Sequence, residues 1–172
     1  MNILVLGIGN ILLSDEGIGV RVVEALQERY YIPDSLDVMD GGTAGLELSE
    51  NIANRDHVIL IDAVKTGAPA GTVIELFDDD VPRLFRTRIS PHQLGISDVL
   101  GILKIMGEIP KGFTLFGAVP YSLHTGTELT EAFLPIREAI LRRLVKRLAE
   151  LGIELEQRDV GVPVNLLTQM AN

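Results

Sequence analysis

Ile3-Leu4-Val5-Leu6-Gly7 places four aliphatic residues in a row near the start of the chain and closes them with a glycine. An uninterrupted run of this kind is the pattern of a strand buried on both faces, as in parallel sheets covered by helices. Ile18, Val22, Val23, Leu26 and Tyr30 follow at helical spacing, with Asp15 as a candidate N-cap. Strand then helix is the unit, and it recurs. Leu36 to Met39 reads as a second strand, 44–53 as a short helix, and His57 to Ile61 as a third strand with Asp62 at its carboxyl end. Thr72 to Phe77 follows a turn rich in Gly, Ala and Pro over 65–71. So short a connection cannot make a parallel crossover, which predicts an antiparallel strand at an edge. Ile96 to Met106 reads as a helix with Ser97 or Asp98 near its start, Phe113 to Val119 as a strand, and Thr130 to Leu151 as the longest helix. The order predicts an α/β fold: a three-layer α/β/α sandwich around a mostly parallel five-stranded sheet with one antiparallel edge strand. Residues 1–151 read as a single domain. Residues 152–172 read as an unassigned tail, able to dock through Val162, Val164, Leu166 and Leu167.

The chain has 172 residues, of a size with one domain. Hydrophobic residues at 47% and charged residues at 23% exclude a disordered chain. The net charge, 15 minus 24 or −9, argues against nucleic-acid partners and anionic membranes. The absence of cysteine excludes disulfides, thiolate zinc sites, iron–sulfur ligation and a cysteine nucleophile, and fits a reducing compartment. Met1 to Gly7 lacks a basic n-region, so it reads as a strand and not a signal peptide. No apolar run approaches the ~18 residues a membrane span needs. A cytoplasmic location is expected.

In open α/β sheets, ligands bind beyond the carboxyl ends of the strands. The polar residues expected there are Asn10, Ser14, Asp15 and Glu16, then Asp40 and Thr43, then Asp62, then His92 and Gln93. The loop Gly7-Ile8-Gly9-Asn10-Ile11-Leu12 invites a dinucleotide reading, but Leu12 stands where the third glycine of G-x-G-x-x-G belongs. Taken singly, Glu16 could complement a helix dipole, Asp62 could cap the next loop, and His92 could be a surface residue after Ser90-Pro91. Taken together on one sheet edge, they are a nitrogen and oxygen donor set able to hold zinc, nickel or manganese with a position left open. A metal so held can polarise a carbonyl and lower the pKa of a bound water. Asp40-Gly41-Gly42-Thr43 is either a tight turn or a lip that receives a substrate backbone, since paired glycines permit close approach. His57 falls on the opposite edge and His124 in a loop after the last strand. Arg142, Arg143, Lys146 and Arg147 read as the solvated face of a helix, and Asp78-Asp79-Asp80 as an exposed turn.

These pieces, in this order, resemble the nickel–iron hydrogenase maturation endopeptidases. The matching blocks are Gly7-Ile8-Gly9-Asn10 leading to Asp15-Glu16-Gly17-Ile18-Gly19, Asp40-Gly41-Gly42-Thr43, Ile61-Asp62-Ala63, and His92-Gln93-Leu94-Gly95 with Asp98. Gly117 to Pro120 and Gly126-Thr127-Glu128-Leu129-Thr130 match later blocks. The resemblance runs from about Ile3 to Leu148 and departs at Val119, where many relatives carry Gln or Glu. It implies a peptidase domain over 1–151. It also implies removal of a C-terminal extension from the nickel-loaded hydrogenase large-subunit precursor by an aspartyl-type or metal-assisted hydrolase. The family's metal-binding and catalytic positions fall on Glu16, Asp62 and His92, and its substrate-recognition loop on Asp40, Gly41, Gly42 and Thr43. The metal would be nickel presented by the precursor, with other divalent metals able to occupy the site, and the enzyme would act as a monomer. No G-x-S-x-G elbow offers a serine alternative. A receiver-like signalling domain would need a Lys at the end of the last main strand, which here reads Ala118-Val119-Pro120. A non-catalytic nickel-sensing checkpoint for the same precursor would use the same residues and stays open at this point.

Overall fold

The structure, a computed structural model, describes residues 1–87 and 91–159, and for residues 91–94 the backbone alone. Its strands are β1 (Ile3–Ile8), β2 (Tyr30–Tyr31), β3 (Leu36–Gly42), β4 (His57–Ala63), β5 (Val73–Phe77), β6 (Phe113–Ala118) and β7 (Glu156–Gln157). Its helices are α1 (Ile18–Arg29), α2 (Ser49–Ile52), α3 (Asp80–Arg86), α4 (Pro91–Met106) and α5 (Leu134–Glu150), with 3₁₀ turns at Ser14–Gly17, Leu46–Leu48 and Glu131–Phe133.

The main sheet is five-stranded in the order β3-β1-β4-β6-β5. All its pairings are parallel except β5 with β6, so the antiparallel edge strand stands where the short connection placed it. Because side chains alternate across a strand, the aliphatic runs feed two cores. Ile3, Val5, Ile59, Ile61 and Phe116 pack with Val22, Leu26, Ile140 and Leu144 of α1 and α5. Leu4, Leu6, Val58, Leu60 and Leu115 pack with Ile52, Phe85, Ile96 and Val99 on the other face. Helices therefore cover both faces.

Several boundaries differ from the sequence reading. β3 runs through Asp40, Gly41 and Gly42 instead of stopping at Met39, and its register with β1 shifts between Gly7 and Ile8. Gly41 is the residue passed over, a bulge at the strand end. Asp15 is not an N-cap of α1; it lies in the preceding 3₁₀ turn, and its carboxylate bonds elsewhere. α4 begins at Pro91 rather than near Ile96, because proline is pre-shaped for a first helical position. α5 begins after a 3₁₀ turn, with Pro135 in its own first turn. Asp80 opens the unforeseen helix α3 instead of lying in a turn, and Asp78 accepts a hydrogen bond from the Phe113 N–H at 3.0 Å.

Beyond Gly152, Ile153 is buried in the α1/α5 core, and β7 pairs antiparallel with β2. The segment 153–159 thus lies on the body of the molecule. Val162, Val164, Leu166 and Leu167 lie outside the described residues. Among the described residues, no helix is long and apolar enough to cross a membrane.

Candidate active site

The carboxyl end of the sheet is assembled by close backbone contact, and glycine makes that contact possible. Gly9 has φ +134°, a conformation side chains rarely adopt, and a Cβ there would stand 1.9 Å from the carbonyl oxygen of Glu16. A Cβ on Gly19 would stand 2.1 Å from the carbonyl oxygen of Ile61. The turn carrying Glu16 is therefore seated on the end of β1. The first turn of α1 is seated on the residue before Asp62. These contacts bring Glu16 and Asp62 to neighbouring strand ends, and the turn touches β4 directly. Of the Gly7–Gly9 pair, Gly7 lies against the Gly19 carbonyl of α1 and Gly9 against the 3₁₀ turn at Glu16.

Asp62 is fully buried, and strand alternation sets it on the face of Val58 and Leu60, the face that α4 covers. Glu16 is half-buried. His92 is on the first turn of α4 rather than in a loop before it; its side chain lies outside the described residues. The backbone of α4 reaches the β3 end through two glycines, since a Cβ on Gly45 would lie 3.3 Å from the Cα of Gly95. That contact joins α4, three residues on from His92, to the chain two residues beyond the Asp40–Thr43 segment.

In that segment Asp40 and Thr43 are exposed and Gly41 is buried. The Asp40 carboxylate accepts the Gly42 N–H at 2.8 Å, and the Gly42 carbonyl accepts the Gly9 N–H at 2.8 Å. Gly42 has φ +48°, and a Cβ on Gly41 would lie 2.8 Å from the Leu6 side chain. The segment is a self-capped strand end, fixed to the same Gly9 that supports Glu16. Two carboxylates, Glu16 and Asp62, thus stand at the neighbouring ends of β1 and β4, and the backbone of His92 lies on the first turn of α4, the helix whose Gly95 meets Gly45 just beyond the glycine rim.

A family model described as hydrogenase maturation protease matches residues 20–149. The chain belongs to this family. The hydrogenase 2 maturation protease of Escherichia coli is 51% identical over 161 residues, 92% of this chain and 98% of that protein. A hydrogenase expression/formation protein of Azotobacter vinelandii is 43% identical, over 92% of this chain and 77% of that protein. Among solved structures, a hydrogenase maturating endopeptidase from E. coli matches with TM-score 0.90 at 49% identity, covering 94% of this chain and all of that one (100%). A hydrogenase 2 maturation peptidase from a Thaumarchaeota archaeon matches with TM-score 0.66 at 31% identity, covering 87% and 99%. As a hydrogenase maturation protease the chain is a hydrolase.

Of the other histidines of this maturation protease, His57 has a buried side-chain partner and His124 is exposed, with its backbone carbonyl engaged. His57 is buried at the amino end of the sheet, with Nε2 2.9 Å from Thr114 Oγ1. Burial pushes its pKa below the ordinary histidine value, and the nearby Arg147 guanidinium pushes the same way against a weaker pull from Asp78. The carbonyl of His124 accepts a hydrogen bond from Ser14 Oγ at 2.8 Å. Arg147, read from sequence as solvated, instead donates to Thr114 Oγ1 at 3.2 Å and stacks 5.2 Å above the Phe77 ring. The sequence reading missed the packing roles of Gly9 and Gly19 and the bonding of Asp15. The glycine spacing was visible; what it packs against was not.

Proposed function

We propose that this protein is the endopeptidase that removes the C-terminal extension of a nickel–iron hydrogenase large-subunit precursor after nickel insertion. Glu16, Asp62 and His92 form its site, and Asp40, Gly41, Gly42 and Thr43 receive the substrate backbone. The observation that carries the site assignment is Asp62, a fully buried carboxylate at the end of β4, the strand that the turn carrying Glu16 touches. A carboxylate there is retained against the penalty for burying charge, which asks for a task or a partner.

In this reading the nickel arrives as part of the substrate. Two carboxylates and an imidazole are suitable donors for nickel and for other divalent ions such as zinc or manganese. Nickel engaged there can polarise a carbonyl as a Lewis acid. Asp62 and Glu16 are the groups available to take a proton from an attacking water, and His92 to return one to the leaving amine. The cysteine-free composition fits action in the cytoplasm on a newly made precursor, and we take the enzyme to be a monomer. Membership of a protease family favours this reading over a non-catalytic checkpoint.

The test is to incubate the purified protein with nickel-loaded and nickel-free precursor and weigh the products by mass spectrometry, alongside Asp62→Ala and His92→Ala. Loss of a C-terminal peptide from the loaded precursor alone, abolished in both variants, is expected. Cutting by either variant would overturn the residue assignment. A loaded precursor that binds and keeps its full mass would favour the checkpoint.

A further inference from the structure

The residue before Glu16 is a buried carboxylate with hydrogen bonds to both of its oxygens. Asp15 is fully buried. Its Oδ2 accepts the backbone N–H groups of Tyr121 at 3.0 Å and Ser122 at 3.1 Å, and its Oδ1 accepts the Thr130 N–H at 2.8 Å. The Thr130 hydroxyl lies 3.0 Å from both oxygens. All of these donors are neutral and belong to the segment between β6 and α5.

Neighbouring residues grip the same segment. Ser14 donates its N–H to the Gly126 carbonyl at 2.9 Å, Gly126 donates to the Leu12 carbonyl at 2.9 Å, and Arg21 reaches the Thr127 carbonyl at 2.6 Å. Ser14 does this at φ +50°, a left-handed conformation that a non-glycine residue keeps only when its surroundings enforce it. A carboxylate at the start of α5 is also favoured by the helix dipole, but that role needs neither the Tyr121 and Ser122 bonds nor a strained Ser14. The Asp15 and Ser14 contacts tie the turn Ser14–Gly17 itself, and those of Leu12 and Arg21 hold the chain on either side of it.

We propose that Asp15 is a positioning residue for the peptidase reaction: by clasping the 121–130 segment it fixes the turn that holds Glu16 over the end of β4. This rests on the reading of Glu16 and Asp62 as the site. Displacement of a catalytic group by about 1 Å is enough to slow a reaction on the order of a hundredfold, so the clasp acts on rate more than on binding.

A double-variant cycle on the nickel-loaded precursor tests it, with Asp15→Asn, Glu16→Gln and the pair, each confirmed folded by its thermal transition. Asp15→Asn is expected to lower kcat about 10- to 100-fold with KM within about twofold. Added to Glu16→Gln it should slow the residual rate no further, because groups that act through one another are not additive. Effects that multiply, or a loss falling on KM, would overturn the proposal. Should Asp15→Asn not fold, Thr130→Val removes one donor only; it is expected to slow kcat about 3- to 10-fold while Thr130→Ser restores it. Wild-type rates in a folded Thr130→Val would equally overturn the proposal. If Glu16→Gln cuts like wild type, the site reading has failed instead. The clasp is then read by amide hydrogen exchange, where Thr130→Val should loosen 14–17 and 121–130 together; independent responses would end it.

Discussion

At the amino end of the sheet, polar groups meet as pairs and chains of side chains. Arg147 donates to Thr114, whose hydroxyl faces His57, and Asp56 is held by Lys111 at 2.6 Å and by the Asn2 N–H at 2.7 Å. At the carboxyl end, Asp15 is satisfied by backbone N–H groups and one hydroxyl, and Gly9, Gly19 and Gly41 stand where a Cβ would strike a backbone carbonyl or a core side chain. Side-chain networks can rearrange when one member changes. Backbone contacts cannot, because moving one shifts a strand. The carboxyl end is therefore the less forgiving half, as the proposed site there would require of its supports.

Glycine substitutions at the two ends test this contrast most severely. Gly19→Ala puts a methyl 2.1 Å from the Ile61 carbonyl oxygen and 2.4 Å from that of Ile8. It should destabilise by about 3 kcal/mol or more, a fall of roughly 6–12 °C in Tm, with activity lost. Gly112→Ala at the amino end meets side chains and not backbone: the His57 ring at 2.5 Å and, in ordinary contact, the Asp78 carboxylate at 3.5 Å. A ring can turn aside, so about 1 kcal/mol is expected. Equal melting temperatures for the two variants would erase the distinction.

Charge-neutral isosteres separate function from stability. Asp62→Asn and Glu16→Gln should each lower precursor cleavage by roughly a hundredfold or more while Tm moves by only a few degrees. Lys111→Ala, which breaks an exposed ion pair at the other end, should leave the rate unchanged and stability within about 0.5 kcal/mol.

Acid separates the ends more gently. His57 has a folded pKa below its unfolded value near 6.5, so the unfolded chain binds the extra proton first. Stability is full above that value and declines as pH falls below it, by at most about 1.4 kcal/mol per pH unit. Urea titrations across pH 7 to 5 should show the slope in wild type and lose it in His57→Gln. The smallest effect belongs to Glu138, which hydrogen bonds to Arg29, and secondarily to Arg137, bring down to about 2. Its contribution is present above pH ~4.5 and disappears as pH falls toward 2. About a third of the side chain is exposed (33%), so screening holds it to roughly 0.5–1 kcal/mol. Glu138→Gln should remove it, and salt should weaken it in wild type.

The sheet was legible because its signals are local. Val58-Ile59-Leu60-Ile61 declares a doubly covered strand by itself, and the length of the 65–71 turn alone fixes the direction of β5. The edge on which Glu16 and Asp62 stand followed from strand order. Asp15 resembled a helix cap because its true partners are 106 to 115 positions away and nothing near it announces them. Likewise the Asp40–Thr43 segment looked like a turn, because a strand that ends in a bulge and two glycines carries the local signature of one.

The short ladder between β2 and β7 bears on how the molecule is made. Arg158 bonds to the Tyr30 carbonyl across 128 positions and stacks 4.8 Å over the Tyr31 ring. Contacts of such sequence separation form late, because closing so large a loop is entropically slow. On a ribosome, the end of the first helix waits for Glu156 to Arg158 to emerge, well over a hundred positions later, before it is sealed. Sealing of that corner is then a mark, in time, that synthesis has passed β7.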